Sequence, residues 1–257
     1  MDKELIRRRF MRGRGTYDSQ AEAQCRIAGK MAGLIARYVP RSSQRKVVEV
    51  GCGTGIFTRQ LLRVAQPDSL WLNDLCPEMK DCLADILGEQ VSFHPGDAER
   101  LLFPSGQGLI VSCSAVQWFV SPELFFQRCA DFLTADGYFS FTTFGKQNLC
   151  EIAELTGSSL MYRSLDELKE SLGHHYQVIH ASEELIHLSF ASPLAVLKHL
   201  QETGVTGIAS CSWTKGKLLD FCQRYKASYS QPDHKVGLTY HPIYILSLIH
   251  ISEPTRP

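Results

Sequence analysis

A short apolar run ends on three alternating glycines, Val47-Val48-Glu49-Val50-Gly51-Cys52-Gly53-Thr54-Gly55. Val47 to Val50 predicts a buried strand, and Ile56, Phe57, Leu61 and Leu62 predict a helix directly after the glycines. Strand, glycine-rich turn and helix in that order gather backbone N–H groups and a helix N-terminus around a ligand. Glycine suits the turn because a Cβ would block close approach and because a tight turn takes positive φ. The stretch therefore asks for an α/β fold that binds a ligand at the end of its first strand.

The spacing bears on which ligand. A dinucleotide fingerprint runs G-x-G-x-x-G, with a pyrophosphate on the helix N-terminus. Here Gly51, Gly53 and Gly55 alternate, and Glu49 stands two residues before the first. A carboxylate at that place suits an ammonium group and is a poor neighbour for a diphosphate. The pattern resembles motif I of the S-adenosylmethionine (AdoMet) methyltransferases, whose ligand carries an amino acid instead of a pyrophosphate. A dinucleotide site and a purely structural turn are the alternatives.

Further acids fall where such a ligand needs them. Ser69 to Asp74 predicts a second strand ending in a carboxylate about 20 residues past the glycines, where it can bond both ribose hydroxyls. A helix N-cap is the plainer role for Asp74. Leu75 and Met79 follow within a turn; Met79 would line an adenine pocket or belong to the core. Val91 to His94 predicts a third strand leading to Asp97 and Ala98, where a carboxylate can accept from an adenine amine or simply close a turn. Leu109 to Ser114 predicts a fourth strand, running past Ser112 to Gln117 and Trp118. A helix over 122–133 and a strand over 138–145 continue the alternation, which means parallel βαβ units. Glu49 with Gly51, Asp74, Asp97 and Ser112–Gln117 all fall at strand ends, one per strand, where open α/β sheets bind ligands.

The remaining segments are less explicit. Met1 to Gly15 carries six basic residues against two acidic ones, six minus two giving +4. This reads as a solvated arm, or as a docking patch on Arg7, Arg8, Arg9 and Arg12 for an acidic partner or an anionic substrate. Residues 16–39 predict one amphipathic helix that would cover the site like a lid, with Tyr17 facing the ligand or packing locally. Residues 176–190 read as two strands, or as one strand and an extended return. Helices are expected over 193–203 and 214–229, and a final strand over 237–246. Residues 247–257 continue no pattern and read as a disordered or non-native tail.

Composition closes some classes. Zero net charge gives no sign of nucleic acid or membrane. No apolar run approaches the roughly 20 residues of a membrane span. Nine scattered cysteines, an odd number with no metal spacing, read as reduced thiols in a cytoplasmic protein without a signal peptide.

Beyond motif I, narrower marks resemble one family, the malonyl-[acyl-carrier protein] O-methyltransferases of biotin synthesis, from about Arg9 to about Tyr244. They are Thr16-Tyr17-Asp18, Ser112-x-Ser114-Ala115-x-Gln117-Trp118, and Thr142-Thr143-Phe144-Gly145 with Asn148 and Glu151. Leu197-Lys198-His199-Leu200 with Thr203-Gly204-Val205, and Leu238-Thr239-Tyr240-His241-Pro242-Ile243-Tyr244, complete the set. Gly108 departs from the pattern, which has an Asp opening the fourth strand.

The resemblance implies a Rossmann-like class I methyltransferase fold: a mostly parallel seven-stranded sheet with helices on both faces, forming a single domain over 1–246. A substrate-covering insertion would occupy about 146–236. It implies AdoMet held by Glu49, Gly51, Cys52, Gly53, Gly55, Asp74, Leu75, Met79, Asp97, Ala98 and Ser112, and methylation of a malonyl thioester on a carrier protein or coenzyme A. A carboxylate, with a reference pKa of about 4, is already ionised at neutral pH and needs no general base. Positioning groups are therefore expected in place of a triad, with Tyr17, Gln117, Trp118, His199 and His241 the candidates and Arg128 a more distant one. The Arg7–Arg14 segment, or Lys215, Lys217, Arg224 and Lys226, could dock an acidic carrier protein. A methyltransferase for another small molecule, a non-catalytic AdoMet-binding protein and an NAD enzyme are the competing readings.

Overall fold

The computed structural model describes residues 2–13, 15–173, 175–204 and 213–250. Arg14, Val205 and residues 251–257 lie outside them, as does the side chain of Arg12. The chain divides into two compact units, one formed by residues 24–143, 165–182 and 243 onward, the other by residues up to 23 with 144–164 and 183–242.

The larger unit is built on a seven-stranded sheet. Its strands are β1 (Lys46–Val50), β2 (Ser69–Asp74), β3 (Val91–Pro95), β4 (Gln107–Cys113), β5 (Leu133–Phe144), β6 (Tyr176–Glu183) and β9 (Pro242–Ile249). Their spatial order is β3-β2-β1-β4-β5-β9-β6. The pairs β1–β2, β1–β4, β2–β3 and β4–β5 are parallel. Every residue from Val47 to Val50 and from Gln107 to Ser112 is buried, because a parallel strand in mid-sheet is covered on both faces.

Helices α3 (Glu22–Tyr38), α4 (Ile56–Val64), α5 (Pro122–Phe132) and α7 (Leu165–Leu172) accompany it. The core gathers Phe125, Phe126, Phe139, Phe141, Leu168, Leu172 and Tyr176, whose hydroxyl donates to Phe126 O at 2.8 Å. Among the described residues no helix is long and apolar enough to cross a membrane.

The smaller unit holds α1 (Lys3–Gly13), α2 (Tyr17–Gln20), α6 (Cys150–Thr156), α8 (Pro193–Glu202), α9 (Lys215–Tyr229) and an antiparallel pair, β7 (Ile186–Phe190) with β8 (Val236–Tyr240). Ser192 and Thr214 cap α8 and α9 through their side-chain oxygens, which accept from Ala195 N–H and Lys217 N–H.

Several expectations are corrected. The basic N-terminal segment is a helix and not an arm: Asp2 Oδ1 accepts from Leu5 N–H at 3.0 Å, and Ile6 is buried. The lid helix is broken at Ala21, whose ψ of 40° leaves the helical region. The final strand is two strands in different sheets. It divides at His241, whose N–H donates to Asn148 Oδ1 and whose carbonyl accepts from Gly145 N–H, ahead of Pro242, which has no N–H to give. Residues 247–249 belong to β9, where buried Ser247 donates to Phe139 O at 2.7 Å. The insertion is also redrawn, since residues 165–182 belong with the sheet unit and the chain start with the smaller one.

Gly108 gains a physical reason. A Cβ there would lie 2.3 Å from Ser43 O and 2.8 Å from Ser43 Cα, both backbone atoms of the 3-10 turn Arg41–Gln44. Gly108→Ala is expected to lose about 2–3 kcal/mol, read as a fall of roughly 5–10 °C in the unfolding midpoint. A midpoint within 1 °C of the parent would show that the turn yields freely.

Candidate functional site

The glycine turn leaves β1 and folds back on the end of β2. Gly51 N–H and Cys52 N–H both donate to Asn73 O, at 2.8 and 2.9 Å. Gly53 N–H donates to Asp74 Oδ2 at 2.9 Å, and Gly55 N–H to Cys52 O at 2.9 Å. All three glycines take positive φ, +73°, +53° and +88°.

They differ in what surrounds them. A Cβ on Gly51 would meet Ala115 Cβ at 2.4 Å, and one on Gly55 would meet Leu83 Cδ2 at 2.7 Å. A Cβ on Gly53 would meet nothing within 4 Å. Gly51 and Gly55 thus serve packing, and Gly53 turns its bare backbone to open space.

Glu49 is 1% exposed. One carboxylate oxygen accepts from Thr58 Oγ1 at 3.0 Å; the other is buried with no partner. Burial, before anything else, pushes its pKa up to about 8; the Thr58 bond opposes this and the charge of Asp74 adds to it. A buried carboxylate with one orphaned oxygen is unfavourable by itself. It fits a site that receives a cation.

Asp74 is half-buried at the end of β2, with Oδ2 on Gly53 N–H and Oδ1 on Cys76 N–H at 2.8 Å. Burial raises its pKa. Each oxygen keeps a lone pair, so the carboxylate can still accept from a diol. The capping role and the ligand role are therefore compatible. Asp97 Oδ1 accepts from Glu99 N–H at 3.0 Å, a turn contact that fixes it at the end of β3. Leu75 is half-buried, while Met79 at 3% exposure and Ala98 are buried. Cys52 is buried and its thiol pKa is pushed well up by burial, then by Glu49 and Asp74, which makes it a packing residue and not a nucleophile.

The segment after β4 abuts the glycine turn through Ala115. Ser114 has φ +60° and is held there by Thr142, whose Oγ1 accepts from Ser114 N–H at 2.8 Å. Such a backbone persists only where its surroundings fix it. Gln117 Nε2 donates to Ser114 O at 2.6 Å, leaving Gln117 Oε1 buried without a partner. Ser112 Oγ is likewise buried and unpartnered. Trp118 is half-buried.

Tyr17, His199 and His241 lie in the smaller unit, and Arg128 in the larger one. Tyr17 is half-buried at the start of α2. His199, 3% exposed, has Nε2 2.9 Å from Tyr240 Oη and its ring 4.9 Å from that of Phe190, and burial lowers its pKa. It is a histidine packed in the core. His241 Nδ1 accepts from Gln147 N–H at 3.1 Å, so the neutral ring carries its hydrogen on Nε2, 3.2 Å from Glu183 Oε2. Arg128, the distant candidate, is occupied with the carbonyls of Glu99 and Leu101 and holds a loop.

Three residues escaped the sequence reading. Asn73, buried, donates to His94 O and Gly96 O and ties β2 to β3 beneath the turn. Arg59 fixes the turn through Thr54 O at 2.7 Å and Asp85 at 2.6 Å. Glu99 accepts from Val120 and Ser121 N–H at the start of α5. Only Glu99 carried a signal, an acid placed to receive the N–H groups of a helix start.

Comparison with known proteins agrees with this geometry. Residues 48–141 match the methyltransferase domain family. The chain is 49% identical to the malonyl-[acyl-carrier protein] O-methyltransferase of Bacteroides thetaiotaomicron, over 96% of this chain and 98% of that one. It is 51% identical to the protein of the same name from Bacteroides fragilis, of which it spans about half the length (50%) while 95% of this chain is matched.

In structure it is similar to the YcgJ protein of Bacillus subtilis, with TM-score 0.62 and 16% identity over 87% of this chain and 99% of that one. It is also similar to Haemonchus contortus phosphoethanolamine N-methyltransferase 2, solved with S-adenosylhomocysteine, with TM-score 0.53 and 14% identity over 85% and 52%. These likenesses give the fold, a Rossmann-like class I methyltransferase, and the near end-to-end identity with curated relatives gives the rest: the chain belongs to the malonyl-[acyl-carrier protein] O-methyltransferase family.

Proposed function

We propose that this chain transfers a methyl group from AdoMet to the free carboxylate of a malonyl thioester, giving the methyl ester that opens pimeloyl formation in biotin synthesis. The observation that carries the reading is the orphaned Glu49 oxygen beside an alternating-glycine turn, in a chain whose relatives bear this activity's name. Bound AdoMet supplies a methyl group made electrophilic by its sulfonium. Glu49 faces the ammonium charge, Asp74 accepts from the ribose, and Gly53 offers uncluttered backbone; Asp97 and Ala98 flank the adenine.

The acceptor needs no base, so the chain's remaining task is to orient it and exclude water. Gln117 and Trp118, on the segment that abuts the glycine turn, are the groups that position the malonyl. His199 and His241 act by holding the smaller unit together, His199 through Nε2 on Tyr240 and His241 through both ring nitrogens.

An assay with labelled AdoMet tests this. Malonyl-carrier protein, acetyl-carrier protein and malonyl-CoA are offered in parallel. Label on the malonyl thioesters, released by base and absent from the acetyl one, is expected; no label on either malonyl thioester, with AdoMet still bound, would overturn the substrate.

The carrier protein is acidic in this reading, and the basic helix α1 offers it Arg7, Arg8 and Arg9. Arg8 is exposed with its Nε on Glu4 O, and Arg7 and Arg9 are half-buried. Reversing Arg7, Arg8 and Arg9 together to Glu is expected to raise the carrier KM about tenfold and to spare AdoMet affinity. An unchanged KM would remove α1 from the docking surface.

A further inference from the structure

Helix α3 carries a second basic face, in the unit that holds the glycine turn. Arg26, Lys30 and Arg37 are spaced four and seven residues apart, so at 100° per residue they fall within about 40° of one another around the helix. Their opposite face, Ile27, Met31 and Ile35, is fully buried. Arg26 and Arg37 are exposed and Lys30 is half-buried. After Glu22, α3 has no acidic residue.

Two cations of this face, Lys30 and Arg37, rest on rings. Lys30 Nζ sits 4.4 Å from the centre of the Tyr244 ring, and the Arg37 guanidinium 5.2 Å from that of Tyr38. Tyr38 in turn stacks on His180 of β6, at 4.9 Å and 24°. A cation seated on an aromatic face is ordered before a partner arrives, which lowers the entropy lost on docking. His180 feels the same field: burial, then Lys30 and Arg37, lower its pKa.

Between the cations lie Gly29 and Gly33. A Cβ on either would meet nothing within 4 Å, so the protein's own packing does not call for glycine there. Glycine is unfavourable in a helix interior. Its effect here is to leave a smooth strip of backbone along the basic face, over which another helix can pass closely.

We propose that the outer face of α3, Arg26, Lys30 and Arg37 with the strip of Gly29 and Gly33, docks an acidic helix of the carrier protein that delivers the malonyl group. This rests on the substrate reading above and adds to it a second surface for the carrier, tested separately from α1. The complementarity is local: the whole chain is neutral, so a basic face must be selected by position and not by overall charge.

The test uses the full chain with Arg26→Glu and Arg37→Glu together, and separately Gly29→Leu. Lys30 is left in place because it also packs on Tyr244. Two quantities are read: steady-state KM for malonyl-carrier protein and for malonyl-CoA, and binding of fluorescently labelled carrier protein by anisotropy at low and moderate salt. The charge reversal is expected to raise the carrier KM at least tenfold, weaken anisotropy binding in step and flatten its salt dependence, with malonyl-CoA KM and AdoMet affinity unchanged. Gly29→Leu is expected to weaken carrier binding at least fivefold with no fall in unfolding midpoint.

Carrier binding unchanged in both variants would overturn the proposal. So would equal losses for carrier and coenzyme A, which would place the effect on the pantetheine phosphate or on folding. Parent protein that binds carrier through α3 yet methylates neither thioester would instead sink the substrate reading and leave the surface standing.

Discussion

Glu49→Gln is expected to weaken AdoMet binding about 100-fold while making the unliganded protein more stable at pH 8. The two effects have one cause. Burial of Glu49, with one oxygen on Thr58 and the other on nothing, raises its pKa from 4.5 to about 8. Between those values the folded chain holds a proton that the unfolded chain has released. Stability therefore falls as pH rises through the window from 4.5 to about 8, and the penalty is complete above it. Its full size is on the order of a few kcal/mol.

Glutamine does not ionise, so the slope of unfolding midpoint against pH between 5 and 8 should flatten in the variant. An ammonium group reverses the balance, because it favours the carboxylate. Binding should then expel close to one proton at pH 7, measurable by calorimetry in buffers of different ionisation heat, and the variant should expel almost none. Losing a desolvated charge pair of this kind amounts to about 3 kcal/mol, hence the 100-fold. An affinity within threefold of the parent would mean that Glu49 does not face the cation.

The residues that made this site legible in sequence are those whose backbone role and chemical role coincide. Gly51, Gly53 and Gly55 announced a turn because each takes a positive φ that other residues rarely adopt, and Glu49 and Asp74 announced charge at strand ends. The alternating strands and helices gave the parallel sheet in the same way, since strands covered on both faces are apolar throughout. What stayed hidden depends on contacts between segments distant in sequence. Asn73 and Arg59 hold the turn by bonding to carbonyls, which leave no mark on a pattern.

The N-terminal helix was masked by its charge, although Asp2 caps it and Ile6 anchors it. The last strand seemed continuous because Leu238 to Leu246 is apolar nearly throughout; only the bonds from Gly145 and Asn148 to His241 show where it breaks. His199 was ambiguous for a similar reason, as a histidine that packs and a histidine that binds have the same spacing until Tyr240 and Phe190 are seen against it.

The turn's geometry allows a sharper test than deletion of a charge. Gly51→Ala should be damaged twice. A non-glycine residue at φ +73° costs about 1–2 kcal/mol. The new Cβ would also lie 2.4 Å from Ala115 Cβ, an overlap relieved only by moving one segment, at roughly 1–3 kcal/mol. Together these lower the unfolding midpoint by about 10 °C. Ala115→Gly, added to Gly51→Ala, removes the clash and leaves the dihedral strain, since the nearest remaining atom, Ala115 Cα, would stand at an ordinary 3.8 Å.

The double variant should therefore recover the steric share of the loss and no more. The coupling between the two sites would be at least about 1 kcal/mol, well above what independent positions show. Function adds a second readout. Displacing Ala115 also displaces Ser114, strained at φ +60°, and Gln117, which is tied to its carbonyl. If that segment positions the malonyl group, Gly51→Ala should raise the thioester KM beyond its effect on AdoMet affinity, and Ala115→Gly should bring the thioester KM back further than the AdoMet affinity. Additive stabilities would mean that the turn relaxes away from Ala115; equal recovery of both constants would mean that the segment serves the cofactor alone.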